Sequence, residues 1–377
     1  MVWSTDEFRV GGIARPGFPL LVGRDGALIT PAFRFLVHHC LHRGRARSAR
    51  TWASYGYAFQ SFFGRLEISG RRWDETPQIG IPSVLADYRT WANGQQGHVD
   101  ATVNARLDIL VTFYRFAHRH GWISKLPFDF EEHLVTRKSE LLAHAVATPA
   151  KKQVADVKFR TSRPMVKLLS SSQAKLFLSA LSNKTHQLMA TLQLATGIRA
   201  EELVSLPASY VVDPATRPDV KHMFPVILNP RDMRTKGSIA RTIHVPRKIM
   251  AMLWAYKALD RNVRTKSTAH PSTCLFLTEE GVAFDRKTVW RIYAIAAKRN
   301  AFHVNPHMLR HTYATHTLAA LARSKNIGNA LLYVRNRLGH ASVRTTERYL
   351  HYIEDVADSV MNDYQSELTT MLEAGNA

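Results

Sequence analysis

The sequence predicts a mainly helical α+β protein built from two domains, and three observations carry that reading. Amphipathic helical periodicity dominates residues 31–120 and resumes from Ser171 onward. A stretch with prolines and no periodicity separates the two helical regions. One strand-like block, residues 222–246, interrupts the second region. With 377 residues, 45% of them hydrophobic and 21% charged, the chain is long enough to bury the cores of two or three domains.

The elements follow in order. Residues 20–30 predict a short hairpin turning at Arg24, Asp25 and Gly26, within an N-terminal extension over 1–30. Helices are expected at 31–43, 48–64, 82–94 and 99–120, the last with Val103, Ile109, Leu110, Phe113, Tyr114 and Phe116 along one stripe. Gly121 closes this unit, which the sequence assigns to 31–124. Residues 125–165 hold Pro127, Pro149, Pro164 and a small-residue run over 143–150, so an interdomain linker is expected there. In the second domain, 166–350, Ser172 is the expected N-cap of a helix that puts Leu176, Phe177, Ala180 and Leu181 on one face, and the next helix runs to Thr196 and Gly197. The block 222–246 predicts two or three short strands, with seven basic residues and one acid between 221 and 250. Further helices are expected at 247–260, at 286–299 behind an Asp285 cap, and at 306–322 with Asn305 as cap and Pro306 in the first turn. Another ends at Gly339, and the last begins near Ser342.

Charge points to the partner. Fifty-one basic residues stand against 30 acidic ones, a net +21, and such self-repulsion is tolerated when a polyanion neutralises it. Residues 1–150 carry 18 basic and 13 acidic residues, whereas 151–377 carry 33 and 17, so the excess lies in the second part. Nucleic acid is the expected partner. No apolar run approaches the roughly 18 residues of a membrane span, and the start, MVWSTDEF, carries acids where a secretory signal would be basic. Two cysteines, Cys40 and Cys274, fit a reducing compartment, and a cytoplasmic location without membrane contact is expected. The phosphate-loop, dinucleotide-binding and HExxH signatures are missing, so no cofactor and no metal are expected. His38 and His42 lie one helical turn apart, but without a second ligand cluster they read as a solvated helix face.

The chemistry-bearing candidates are scattered polar residues of the second domain. Arg199 starts a helix in ATGIRAEELVSL, Lys236 sits at the ribbon tip in RTKGSIART, and His307, Arg310 and His311 share a helix face in NPHMLRHTYATH. His340 follows a Leu-Gly pair, and Tyr349 comes nine residues later in LGHASVRTTERYLHY. Each alone has an ordinary explanation, such as an ion pair between Arg199 and Glu202 or a core role for Tyr349. The ordered set has none. ATGIRxxEL, TKG, HxLRH and LGHxSxxTTxxY together resemble the successive boxes of the tyrosine recombinase (phage integrase) family, over about residues 165–355.

The resemblance implies a helical, SAM-like core-binding domain over 31–124 and a catalytic domain over 166–350, closing as a C-shaped clamp on double-stranded DNA. It implies a site-specific recombinase or integrase that cleaves and rejoins strands through a 3′-phosphotyrosine without metal or ATP. Alternatives are a type IB topoisomerase or telomere resolvase, or a non-catalytic DNA-binding protein on the same scaffold. Tyr349 is implied as nucleophile, ahead of Tyr313 and Tyr352, with His307 as its base, Arg199, Arg310 and His340 as donors to the phosphate, and Lys236 as general acid. Guanidinium suits the first task because its planar fork grips two phosphate oxygens at once. Glu202 and His311 are implied in support, and Arg234, Arg241 and Arg344 as DNA contacts. The tail, 351–377, has six acids and no Lys or Arg, with Ile353, Val356, Val360, Tyr364, Leu368 and Met371 at helical spacing. By the resemblance it docks on a neighbouring protomer in a tetramer on two DNA sites, in a bacterial or mobile-element setting near the nucleoid, with accessory DNA-bending proteins as further partners.

Overall fold

Several helices in this protein begin where a short polar side chain can satisfy the first free backbone amides. The computed structural model describes residues 1–44, 48–135, 150–160, 167–266, 272–300, 302–322, 327–339 and 349. The chain divides into two units, Met1–Arg163 and Pro164–Ala377. The architecture is α+β: helices with small two-stranded sheets.

In the first unit, strand β1 (Val2–Trp3) is followed by β2 (Arg9–Val10), β3 (Ile13–Ala14) and β4 (Pro19–Leu20). β1 pairs with β4, and β2 with β3, both antiparallel. Val22 then bridges Leu28 across the expected turn, where Gly26 has φ +79°. Helix α1 (Thr30–Leu36) continues into a π-helical turn, Val37–His42. α2 (Ala49–Ser69) starts at Ser48, whose hydroxyl accepts from the Thr51 amide, and ends at a left-handed Gly70. It runs past the expected residue 64 because Leu66 stays on the buried face and Gly70 is the first residue that can cap it. α3 (Val84–Gly94), capped by Ser83, and α4 (Asp100–Arg119) complete the bundle. Its core is aromatic, with edge-on pairs such as Phe35–Phe59 at 5.7 Å, Phe59–Phe113 at 5.3 Å and Phe62–Tyr88 at 5.6 Å. A bidentate Arg65–Asp87 pair ties α2 to α3.

The interdomain linker expected over 125–165 is, in its described parts, ordered and packed on the first unit. β5 (Phe130–Val135) and β6 (Ala150–Ala155) form an antiparallel hairpin with Phe130 opposite Ala155. Phe128, Ala155 and Val157 are buried in the aromatic core, and Asn104 of α4 holds the Phe159 backbone through both its amide and its carbonyl, each at 2.9 Å. Isolated apolar residues between prolines, too few to set a period, are enough to fasten this segment to α4.

In the second unit, α5 (Ser171–Ala180) is capped by Ser170 and not by Ser172: Ser170 and Gln173 form a reciprocal capping box, and Ser172 only shares a hydrogen bond with the Ser170 hydroxyl. The residue with a Gln three places on wins. Phe177 is fully buried whereas Leu176 is 51% exposed. α6 (Lys184–Thr196) begins at Asn183 and ends at left-handed Gly197, and α7 (Ala200–Val204) starts from Arg199. β7 (Met223–Leu228) and β8 (Arg241–Pro246) pair antiparallel with Leu228 opposite Arg241, and Phe224, Val226, Leu228, Ile243 and Val245 face the core. α8 (Arg247–Tyr256) passes through a π-helical turn into α9 (Asn262–Thr265). α10 (Arg286–Lys298) carries the expected Asp285 cap, α11 (Pro306–Ala322) is capped by Asn305, and α12 (Ile327–Leu338) ends at Gly339. Buried Gln193 of α6 accepts from the Tyr293 hydroxyl of α10 at 2.9 Å and donates to the Ile198 carbonyl, bracing the turn before Arg199. The expected helix near Ser342 and the tail 351–377 lie outside the described residues. Among the described residues no helix is long and apolar enough to cross a membrane.

Gly197 is required twice. Its φ is +64°, and a Cβ there would stand 2.5 Å from Cδ1 of Tyr313. Gly197→Ala should therefore cost about 3 kcal/mol, combining left-handed strain with overpacking. Urea unfolding will check this; an unchanged midpoint would mean that the turn and the Tyr313 ring yield freely.

Candidate active site

Two elements of the second unit meet at one carboxylate, and two more close around the arginines beside it. Glu202, on the first turn of α7, is 1% exposed. Its Oε1 accepts from Arg199 Nη1 at 2.9 Å, and its Oε2 accepts from the Arg199 backbone amide at 2.9 Å and from Arg241 Nη2 at 2.5 Å. Burial alone would raise this carboxyl; the Arg241 guanidinium against it, joined by Arg199, overrides that and holds it at about 2. The ordinary reading of the Arg199–Glu202 pair as a surface ion pair is thus replaced by a buried one.

Backbone carbonyls bind the other ends of the arginines. Arg310, on α11, is 2% exposed and donates to the Gly197 carbonyl and the Leu338 carbonyl, both at 2.5 Å. Arg199 reaches the same Leu338 carbonyl at 3.3 Å, and Arg241 donates to the Arg337 carbonyl at 2.6 Å. All three guanidiniums therefore gather at the C-terminal end of α12, where unpaired carbonyls carry the negative end of the helix dipole. Burial, then repulsion from Arg199 and Arg241, lowers Arg310 to about 9, still protonated at neutral pH. Three cations gather here and a single carboxylate, paired with two of them, lies among them, leaving a surplus of positive charge suited to an anion.

The phenol stands beside this layer. Tyr349 is 1% exposed, packed among Ala314, Leu318, Ala330, Leu331, Val334 and Leu338. Its hydroxyl hydrogen-bonds Nδ1 of His311 at 2.7 Å. His311 lies one residue from Arg310 on α11, and its ring centroid is 4.4 Å from that of His307, which is exposed.

Of the residues expected in the site, the structure brings together Arg199, Arg310, His307 and Tyr349, with Glu202 and His311 in direct support. Lys236 is exposed on the turn Lys236–Ser238 between β7 and β8, where Gly237 and Ser238 have φ of +73° and +53°. Arg234 is exposed and paired with Glu201 at 3.0 Å. Arg241, expected as a DNA contact, is instead buried and spends its donors on Glu202 and the Arg337 carbonyl; it is a structural cation of the arginine layer, because the first residue of β8 faces inward opposite Leu228. Tyr313 packs its ring against Gly197. His340, Arg344 and Tyr352 lie outside the described residues. His38 packs on Phe116 at 4.9 Å beside His42, and among the described residues no cluster of His, Cys, Asp or Glu is arranged to hold a metal. The direct grip of His311 on Tyr349 was not legible from spacing alone; its only signal was the face it shares with His307 and Arg310.

Residues 167–355 match the model of the Phage integrase family. Transposase A from transposon Tn554 of Staphylococcus aureus is 24% identical over 92% of this chain and 93% of its own length. Tyrosine recombinase XerD of Agrobacterium fabrum is 28% identical over 89% and 92%. Among solved structures, the Tn1549 transposon integrase in complex with transposon right end DNA aligns with a TM-score of 0.58 at 19% identity, covering 88% of this chain and 98% of that one. The XerH site-specific recombinase in a post-cleavage complex aligns with a TM-score of 0.55 at 17% identity, covering 86% and 82%. At these identities the structural likeness speaks for the fold.

The folded value of Glu202 lies below its ordinary 4.5, so its contribution to stability is complete above about pH 4.5 and is lost as pH falls toward 2. That contribution is about 3 kcal/mol. Glu202→Gln should remove this acid dependence and cost about 3–5 kcal/mol at neutral pH by leaving buried guanidiniums uncompensated. Urea midpoints across pH will check it; parallel profiles for both proteins would refute the assignment.

Proposed function

Because the chain is a site-specific tyrosine recombinase of the phage integrase family, we propose that it cuts and rejoins duplex DNA through a 3′-phosphotyrosine formed at Tyr349. The observation that carries this reading is the placement of a phenol hydroxyl beside a layer of three guanidiniums, two of which are paired with one buried carboxylate. An attacked phosphodiester gathers negative charge on its non-bridging oxygens, and preorganised cationic donors lower that barrier most when they need not rearrange. Arg199 and Arg310 are held at their far ends by Glu202 and by the Leu338 carbonyl, so the remaining N–H groups of their forks can serve the phosphate. The side chain of Arg199 is 20% exposed, so it is the member of the pair that an incoming phosphate meets first.

The attack makes a bond from the Tyr349 oxygen to phosphorus and breaks the bond to the 5′ oxygen, which needs a proton. Lys236, exposed on a turn between two strands, supplies it. His340 donates to a non-bridging oxygen, and His307, which the resemblance gives as the base, stands exposed beside His311. Reversal by a 5′ hydroxyl of another strand rejoins DNA with no energy source, because the phosphotyrosine conserves the bond. Arg234 exchanges its Glu201 partner for backbone phosphate, and Arg344 adds a second contact of that kind. The helical unit over 31–124 joins the 166–350 unit in gripping the duplex, and the acidic tail 351–377 links copies into a tetramer on two sites.

On a nicked suicide duplex the protein should form a covalent adduct, lost in Tyr349→Phe while DNA binding persists. Arg199→Ala and Arg310→Ala should slow adduct formation by about 10² to 10³, and a chelator should leave it unchanged. Covalent attachment of the Phe variant, or wild-type rates in both Ala variants, would refute the proposal.

A further inference from the structure

The base that receives the phenolic proton has a candidate other than His307. We propose that His311 is the catalytic acceptor of the Tyr349 proton, through its Nδ1 atom. This rests on the reading of Tyr349 as the nucleophile and assigns a further residue to the same reaction.

Geometry carries the assignment. A general base must lie within about 2.6–3.2 Å of the heavy atom it deprotonates. His311 Nδ1 stands 2.7 Å from the Tyr349 oxygen, and both groups are buried. The helix on either side of His311 is tied down: Thr312 accepts from the Leu169 amide at 2.9 Å, and Arg310 is anchored on two carbonyls. His307, one helical turn earlier, is exposed and contacts His311 ring to ring, so it lies on the outer side of the pair.

The step balances without any other reactant. Neutral His311 takes the hydroxyl proton at Nδ1 and becomes an imidazolium, and the phenolate oxygen forms the bond to phosphorus. The 5′ oxygen leaves with a proton from Lys236. In religation the imidazolium returns its proton to the departing phenolate. The neighbouring arginines favour phenolate by their charge, while His311 gives the proton a place to go.

A chemical bypass tests this. In His311→Gln, adduct formation on the suicide duplex should fall by about 10²–10⁴, the range for loss of a general base, while DNA affinity stays within about threefold, a change of under 1 kcal/mol. Introducing at position 349 a fluorinated tyrosine, whose phenol ionises without help near neutral pH, should restore most of the lost rate in the His311→Gln protein and little in wild type. A duplex with a sulfur in place of the bridging 5′ oxygen, which needs no protonation to leave, should rescue Lys236→Ala but not His311→Gln. A wild-type rate in His311→Gln, or a loss that the fluorinated tyrosine does not relieve, would overturn the proposal; if His311→Gln does not fold, the same three comparisons apply to His311→Asn. An adduct that still forms at Tyr349 in these cases would leave the nucleophile assignment standing, whereas attachment in Tyr349→Phe would remove both.

Discussion

The ion pairs of Glu202 fix the site on which everything else depends. Burying a carboxylate is costly unless its oxygens are fully engaged, and here backbone amide, Arg199 and Arg241 engage both. The result is directional. Arg199 comes from the start of α7 and Arg241 from the start of β8, so one side chain fixes the relative position of a helix and a hairpin. Since α7 immediately follows the Gly197 turn, the same carboxylate also sets where the Gly197 carbonyl meets Arg310. The cationic layer is thus assembled from side chains far apart in sequence, each with one end immobilised.

Immobilisation is what would suit this arginine layer to an anionic ligand. A guanidinium has five donors, and a buried one whose partners are all spent would have none for a substrate. Arg310 spends two of them on carbonyls and Arg199 uses one end on Glu202 and the other on the end of α12. Arg241 takes the inner position and supplies charge without facing substrate. The division of labour explains why the arginine that looked like a surface contact in sequence is the most structural of the three.

Much of the architecture was readable because long periodic segments and their caps agree: α3, α4, α10 and α11 lie close to their expected bounds, with Asp285 and Asn305 as caps. Sequence patterns also placed Arg199, Arg310, His307 and Tyr349 in one reading, and the fold brings them together. What failed did so for local physical reasons. Ser170 outcompetes Ser172 because only it has a Gln at the third helical position. The described parts of the 125–165 stretch hide their order because a hairpin fastened by Phe128, Ala155 and Val157 leaves no helical period. Arg241 was misplaced because a two-stranded ribbon with alternating sides conceals which basic residues face inward. The hydrogen bond from Tyr349 to His311 joins residues 38 positions apart, beyond any periodicity argument.

The end of α12 has a consequence of its own. Leu338 offers its carbonyl to both Arg199 and Arg310, so two of the cations that would greet a phosphate also serve as the cap of that helix. An anion drawn to these guanidiniums would compete with a helix terminus for the same donors.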